Sequence, residues 1–348
     1  MRLSPAADGF AQTLVRWQVT HGRHNLPWQA TQDPYRVWLS EIMLQQTQVV
    51  TVRDYFTRFL QRFADVAALA QAPLDDVLGL WSGLGYYSRA RNMHLCAQRV
   101  MTLHGGVFPD SAAQLATLPG IGPSTAAAVA SICFGERVAI LDGNVKRVLT
   151  RYLGFEGDLA SSVNEHSLWR EATRLLPEHD LARNMPRYTQ AIMDLGATVC
   201  TARKPTCVAC PLHGQCRAEA LASPEAFPVK TRKLKRTAQT LWLLWALSEG
   251  GAVWLSQRPT PGVWAGLYCL PLLDDRDTLQ AAVPAGLQGQ LHDQGVVKHV
   301  LTHKDLYLHP VRVVLPRSLS PEVSGAWVEA GHWPQLGLPA PIRKLLAA

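Results

Sequence analysis

The sequence predicts a mainly helical first domain over residues 1–223, a basic connector at 224–238 and a smaller α+β domain over 239–348. Three observations predict this. Apolar residues recur at helical spacing from near the N-terminus to about residue 220. That pattern then gives way to Pro224, Pro228 and the cations Lys230, Arg232, Lys233, Lys235 and Arg236. Beyond them, short β-prone runs flank turn signals. A chain of 348 residues is long enough to bury two cores of ordinary size.

Taken in order, Val37, Trp38, Leu39, Ile42, Met43 and Leu44 form a helix apolar nearly all round, which predicts burial. Gln45-Gln46-Thr47 interrupts it, and Thr47 is the residue type to cap a second helix carrying Val49, Val50, Val52, Tyr55, Phe56 and Phe59. Helical patterns follow at Pro73–Leu80, Ser88–Leu103, Ser111–Leu118, Pro123–Phe134 and Val145–Leu153. In the second domain, Thr240–Leu247 and Ala252–Ser256 surround Ser248-Glu249-Gly250-Gly251, a hairpin signal, and Val296–Leu301 and Leu306–Leu315 continue the strand-rich character.

Composition narrows the function classes. Hydrophobic residues make up 47% of the chain and charged residues 18%, which reads as globular and soluble. No apolar run approaches the ~18 residues of a membrane helix, so no membrane partner is expected. Met1–Ala11 lacks a basic-then-apolar leader pattern, which makes the cytoplasm the expected compartment. A net charge of +7 permits a polyanionic partner. Seven cysteines occur, and the odd number in that compartment argues for a metal site over a disulfide framework. Cys96, Cys133 and Cys269 lie in apolar surroundings and read as small core residues.

Four segments carry chemistry. Leu118-Pro119-Gly120-Ile121-Gly122-Pro123-Ser124 joins two helices; its glycines permit a tight turn, and free amides at the second helix's N-terminus make a phosphate seat. An ordinary interhelical turn is the bland alternative. Asp142, in Leu141-Asp142-Gly143-Asn144-Val145-Lys146-Arg147, precedes a helix with apolar face Val145, Val148, Leu149 and Tyr152. It is an N-cap on the bland reading, and a carboxylate kept anionic by the helix terminus on the catalytic one. Cys200-x6-Cys207-x2-Cys210-x5-Cys216 offers four thiolates that suit a 4Fe–4S cluster or zinc; zinc sites more often pair two Cys-x-x-Cys units, and only one is present. Glu41 places a single carboxylate inside the buried helix, where it either pairs with a cation or is held protonated as a general acid.

The hairpin and the Asp142 segment together resemble the helix-hairpin-helix GPD glycosylase superfamily. The cysteine spacing resembles the cluster loop of its endonuclease III and adenine glycosylase branch. Trp38-Leu39-Ser40-Glu41-Ile42-Met43-Leu44-Gln45-Gln46-Thr47 and Gly83-Leu84-Gly85-Tyr86-Tyr87-Ser88-Arg89-Ala90-Arg91-Asn92 resemble the MutY-type adenine DNA glycosylases. The resemblance spans essentially the whole chain, most specifically through residue 216.

It implies a DNA glycosylase of base excision repair acting as a monomer on double-stranded DNA containing 8-oxoguanine:A or G:A. Glu41 would protonate adenine, and Asp142, held by Asn144, would stabilise the sugar cation. Gln46 and Tyr86 would enter the base stack, and Gly120, Gly122, Arg89, Arg91 and Lys146 would lie along the DNA. Ser124 and Gln190 would line the base pocket. A structural 4Fe–4S cluster on Cys200, Cys207, Cys210 and Cys216 would shape a loop presenting Arg203 and Lys204. Related lyases carry a lysine in place of Ser124, and some members carry one in place of His24, so a monofunctional enzyme is implied.

The C-terminal region, with Gln257-Arg258-Pro259 and Gly262-Val263-Trp264-Ala265-Gly266-Leu267-Tyr268, resembles the family's nudix-like second domain. The glutamate-rich box that binds metal in nudix hydrolases is absent, which predicts no pyrophosphatase activity. Leu301-Thr302-His303 stands where the family has a Phe-Ser-His turn that recognises 8-oxoguanine. Two other readings stay open at this point: a bifunctional pyrimidine-specific enzyme, and a non-enzymatic iron–sulfur DNA sensor.

Overall fold

A computed structural model describes residues 7–29, 31–231 and 235–347. The helices, in chain order, are α1 (Ala7–His21), α2 (Pro34–Leu44), α3 (Val49–Arg62), α4 (Val66–Gln71), α5 (Leu74–Trp81), α6 (Ser88–His104), α7 (Ala112–Leu115), α8 (Pro123–Phe134), α9 (Gly143–Leu153), α10 (Ser162–Arg174), α11 (Leu181–Thr198) and α12 (Arg217–Ala220). The strands are β1 (Thr237–Ser248), β2 (Val253–Gln257), β3 (Tyr268–Cys269), β4 (Leu272–Leu273), β5 (His292–Asp293), β6 (Val297–Val300), β7 (Lys304–Leu315) and β8 (Ala326–Val328). Two late helices, α13 (Arg276–Ala281) and α14 (Ala340–Leu346), complete the chain.

The chain packs as two units that are discontinuous in sequence: Met1–Ala70 with Leu95–Lys233, and Gln71–His94 with Leu234–Ala348. The first is helical. Its α2 begins on the Asp33 side chain, which accepts from the Tyr35 amide at 3.0 Å, with Pro34 in the first turn. Tyr35, Val37, Trp38, Leu39, Ser40, Ile42 and Met43 are buried, as an all-round apolar helix requires. Thr47 does not cap α3: the N-cap is Gln48, without a side-chain bond, and the Thr47 hydroxyl turns back to the Gln45 carbonyl. A core of Phe10, Leu14, Val148, Leu149, Tyr188 and Ile192 joins α1, α9 and α11.

In the second unit the sheet runs β3-β2-β1-β7-β5, with β4 and β6 pairing β1 and β7. Its centre is the long parallel pair β1–β7, in register from Thr237↔Lys304 to Ser248↔Leu315. The expected hairpin forms: Ser248 donates to the Ala252 carbonyl at 2.7 Å, and Gly251 takes φ +83°, a conformation glycine adopts without a Cβ penalty. One face of the sheet is covered by Leu338 and Ile342 at α14, the other by Leu279 of α13.

The connector is partly tied down. Phe227 is buried and its carbonyl accepts from Arg151, Leu159 donates to the Val229 carbonyl, and Thr231 bonds Asp158. Arg232 and Lys233 of the basic run lie outside the described residues. Among the described residues no helix is long and apolar enough to cross a membrane.

Candidate active site and cysteine loop

The first unit brings Glu41 and Asp142 into electrostatic reach of one another. Glu41 sits on α2 between Ser40 and Ile42, both buried. The residue keeps a partly exposed surface, but protein encloses the carboxyl; burial, then the neighbouring Asp142 carboxylate, pushes its pKa up to about 7. The helix is moored to the hairpin helix α8 by Gln45, whose amide donates to Thr125 Oγ1 at 3.3 Å.

Asp142 is the N-cap of α9, its Oδ1 accepting from the Val145 amide at 2.7 Å. The helix terminus acts as expected, since the Val145 and Asn144 amides and the Arg147 and Lys146 charges all favour the anion. Burial outweighs them, however, and the net direction of its pKa is upward. Ser124 fixes the segment leading into Asp142: its hydroxyl, in the first turn of α8, accepts from the Leu141 amide at 3.0 Å. Gly120 takes φ +76°, and the N-cap Gly122 and Pro123 are exposed, so the very N-terminus of α8 stands open to solvent, while Thr125 and Ala126 behind it are buried.

Several side chains have occupations the sequence did not predict. Asn144 does not hold Asp142 through its carboxamide, which accepts instead from Arg147 at 2.7 Å. Arg147 also donates to the carbonyls of Cys200 at 2.8 Å and Gly196 at 2.6 Å, bracing α9 to the end of α11. Lys146 pairs with Glu165, and His24 bonds the Gln18 carbonyl at 2.9 Å.

Gln190 donates to Asp194 at 3.0 Å, and Asp194 is a carboxylate that sequence reasoning missed. Fully buried, it also accepts from the Arg23 amide at 2.9 Å, the Arg23 guanidinium at 2.8 Å and Gln29 at 3.4 Å. The signal was present: Ile192-Met193-Asp194-Leu195 sets one carboxylate in an apolar helix, as with Glu41. The other Gln29 amide atom, Oε1, is buried without a partner.

Gln46 and Tyr86, on separate units, share two properties. Both are exposed and both take left-handed backbone, at φ +58° and +48°, which costs a side-chain-bearing residue roughly 1–3 kcal/mol. Arg89 is buried rather than presented outward. Its guanidinium donates to the Leu84 and Gly85 carbonyls and stacks over Trp81 and Tyr86, shaping the turn that carries Tyr86. Arg91 is likewise engaged, donating to the Ala265 carbonyl at 2.5 Å. In the turn between β6 and β7, Thr302 and His303 are exposed, and Thr302 Oγ1 lies 2.6 Å from the Tyr86 hydroxyl. Leu301, beside them, is packed against the sheet core.

The four loop cysteines are free thiols, each half-buried. Burial first, then the neighbouring Cys200, Cys216 and Cys207, push the Cys210 thiol up to about 12 against a lowering bond from the Leu212 amide. As the loop stands, no group of three or more His, Cys, Asp or Glu among the described residues is arranged to hold a metal ion. The donor set, four soft thiols within mutual electrostatic reach, suits an iron–sulfur cluster.

The model of the HhH-GPD superfamily base excision DNA repair proteins matches residues 39–171, and that of the NUDIX domain matches 242–348. A thermostable thymine-DNA glycosylase structure is similar at 28% identity and TM-score 0.55, covering 62% of this chain and 97% of its own. An endonuclease III–DNA complex aligns at 21% identity and TM-score 0.52, over 64% of this chain and 99% of that one, a likeness that speaks for the fold alone. Mouse adenine DNA glycosylase is 44% identical over 226 residues, 62% of this chain and 43% of its own. The adenine DNA glycosylase of Buchnera aphidicola subsp. Baizongia pistaciae is 34% identical over 343 residues, 97% of this chain and 95% of its own. An alignment that runs through the carboxylate site, the cysteine loop and the sheet alike places this chain in the adenine DNA glycosylase family of HhH-GPD base excision repair enzymes.

Proposed function

We propose that the protein removes adenine from 8-oxoguanine:A and G:A pairs in double-stranded DNA, without a lyase step. The observation that carries this is the pair of enclosed carboxyls: Glu41, with its pKa near 7, beside Asp142 on a helix cap. Adenine is a poor leaving group as an anion. Glu41 gives its proton to N7 as the N9–C1′ bond breaks, so the base departs neutral and an oxocarbenium-like sugar remains. Asp142, as the anion, stabilises that cation, and the Glu41 carboxylate then takes a proton from the water that adds at C1′. Flipping the base costs a few kcal/mol, which the exposed N-terminus of α8 at Gly122 offsets by seating backbone phosphate. Exposed Gln46 and Tyr86 supply side chains for the vacated stack.

Ser124 has no amine with which to form a Schiff base, and its hydroxyl has a structural partner in Leu141, which supports monofunctional chemistry. Thr302 and His303 form the reader of the opposite base. Cys200, Cys207, Cys210 and Cys216 hold a 4Fe–4S cluster, which supplies structure to the loop and takes no part in the steps above.

The test is direct. Full-length protein is incubated with duplexes holding 8-oxoguanine:A, G:A, thymine glycol:A and G:T, and the freed base is identified. Adenine from the first two, in strands intact until alkali treatment, is expected. Release of a pyrimidine, or a strong borohydride-trapped adduct, overturns the reading.

A further inference from the structure

We infer that Arg151 is the buried counter-ion of the cysteine loop, and that its charge sets the reduction potential and the retention of the cluster those thiolates hold. The inference rests on the 4Fe–4S reading of the four cysteines.

Arg151 is 2% exposed, although it lies in the last turn of α9, where a cation ordinarily reaches solvent. Four of its five N–H donors are used within the loop's neighbourhood. Nη1 donates to the Thr201 carbonyl at 2.7 Å and to Cys200 Sγ at 3.3 Å, Nη2 to the Ala202 carbonyl at 3.1 Å, and Nε to the Phe227 carbonyl at 3.2 Å. The Arg151 carbonyl in turn lies 3.4 Å from Cys216 Sγ.

Those contacts satisfy hydrogen bonds without satisfying charge. A guanidinium stays protonated in proteins, and a buried cation without an anion is strongly unfavourable. Among the described residues no carboxylate lies within ion-pair distance of Arg151. Glu219, a carboxylate within electrostatic reach of Cys207 and Cys216, is engaged by His213 and the Gly214 amide. The missing anion is the loop itself. A 4Fe–4S core in its common oxidised form, ligated by four thiolates, is a net dianion. Arg151 then neutralises part of that charge through a charge-assisted N–H···S bond to Cys200.

The sign of the effect follows. A fixed cation favours the more negative, reduced form, so its removal lowers the potential. It also leaves the thiolates repelling one another, which weakens retention of the cluster.

The test compares full-length wild type, Arg151→Lys, which keeps the charge, and Arg151→Gln, which keeps a donor and loses the charge. Folding is checked by circular dichroism, and iron and sulfide are counted per chain. The midpoint potential is read by voltammetry, the electrode exchanging the single electron, and iron release to a chelator is timed. The expected result is a more negative potential and faster iron loss for Arg151→Gln, with Arg151→Lys near wild type in both. Equal shifts in the two variants, or wild-type behaviour in Arg151→Gln, overturn the inference. Where Arg151→Gln fails to load at all, retention in Arg151→Lys supports it and loss in both variants overturns it. Zinc, or no iron, in wild type prepared anaerobically overturns the cofactor reading itself, and the counter-ion role with it.

Discussion

At the scale of single residues, a carboxyl raised to about 7 makes function and stability pull in opposite directions. As the acid, Glu41 works only while protonated, so activity falls as pH rises through about 7. Asp142 works only while ionised, and its upward-shifted pKa places the acid limb of the profile above the ordinary Asp range. The expected kcat/KM profile is a bell, read by adenine release under single-turnover conditions; a flat profile from pH 6 to 9 would falsify the assignment. The stability sign is the reverse of a salt-bridged carboxylate. Between the ordinary Glu value of 4.5 and about 7 the folded state holds the proton that the unfolded chain has lost, so stability declines with pH across that window and levels off above it. Glu41→Gln is therefore expected to abolish release and to stabilise the fold at pH 8 by on the order of 1–3 kcal/mol, the gain vanishing near pH 4. Denaturant melts at the two pH values check it. Asp142→Asn keeps a competent cap and should lose activity at nearly wild-type stability, whereas Asp142→Ala should lose about 1 kcal/mol as well. Equal stability of the two would argue against the cap.

Elements were the most legible feature of the sequence, because their signals are local. Proline in the first turn and a glycine beyond the end bound α8, and Asp142 and Gly154 do the same for α9. Thr47 was a misleading cap because a competing bond to its own turn's carbonyl satisfies it. Contacts between elements were less legible: neither Arg147's brace nor the Asp194 cluster has a sequence period, since each joins segments far apart in the chain. Their packing makes a prediction that runs against propensity. Gly196 lies inside α11, where Gly→Ala ordinarily gains up to about 1 kcal/mol. Here an added Cβ would meet Asn144 Cβ at 2.7 Å and the Asn144 backbone at 3.2 Å. Gly196→Ala is therefore expected to push the Asp142-bearing end of α9 off α11, costing roughly 1–3 kcal/mol and slowing base release. Thermal melts alongside single-turnover assays decide the sign; a variant more stable than wild type at full activity would show that the helix ends yield freely.

At the scale of the whole molecule, the two-part organisation was legible and the membership of the parts was not. The basic run and the change of period marked where the sheet begins, and nothing in Gln71–His94, helical like its neighbours, announces that it packs with Leu234–Ala348. The partners are specific. Tyr87 donates to the Leu338 carbonyl at 2.8 Å, Arg343 to Ser82 at 3.0 Å, Arg91 to Ala265 and Tyr268 to Asp75 at 3.3 Å. A Cβ on Gly79 would meet the Gln335 carbonyl at 2.1 Å, so that helix lies directly against backbone of the 333–335 turn. Removing the C-terminal region therefore disturbs residues 71–94 as well. A fragment ending at Pro228 deletes every one of these partners and leaves Trp81, Leu84 and Tyr87, all buried in the full chain, beside water. Tyr86 loses its Thr302 contact as well, and the turn Arg89 supports loses its backing. The fragment should therefore keep the Glu41–Asp142 site, which lies wholly in the other unit, while residues 71–94 exchange amide protons and are cleaved by protease far faster than in the full chain. Adenine release should fall for want of an ordered Tyr86, and selectivity for 8-oxoguanine:A over G:A should fall further than rate. Full-length Thr302→Ala, which leaves the packing in place, separates the two causes: it should lower selectivity with residues 71–94 still protected. A fragment whose 71–94 segment stays as protected as in the full chain would mean that this segment is ordered by the helical unit after all.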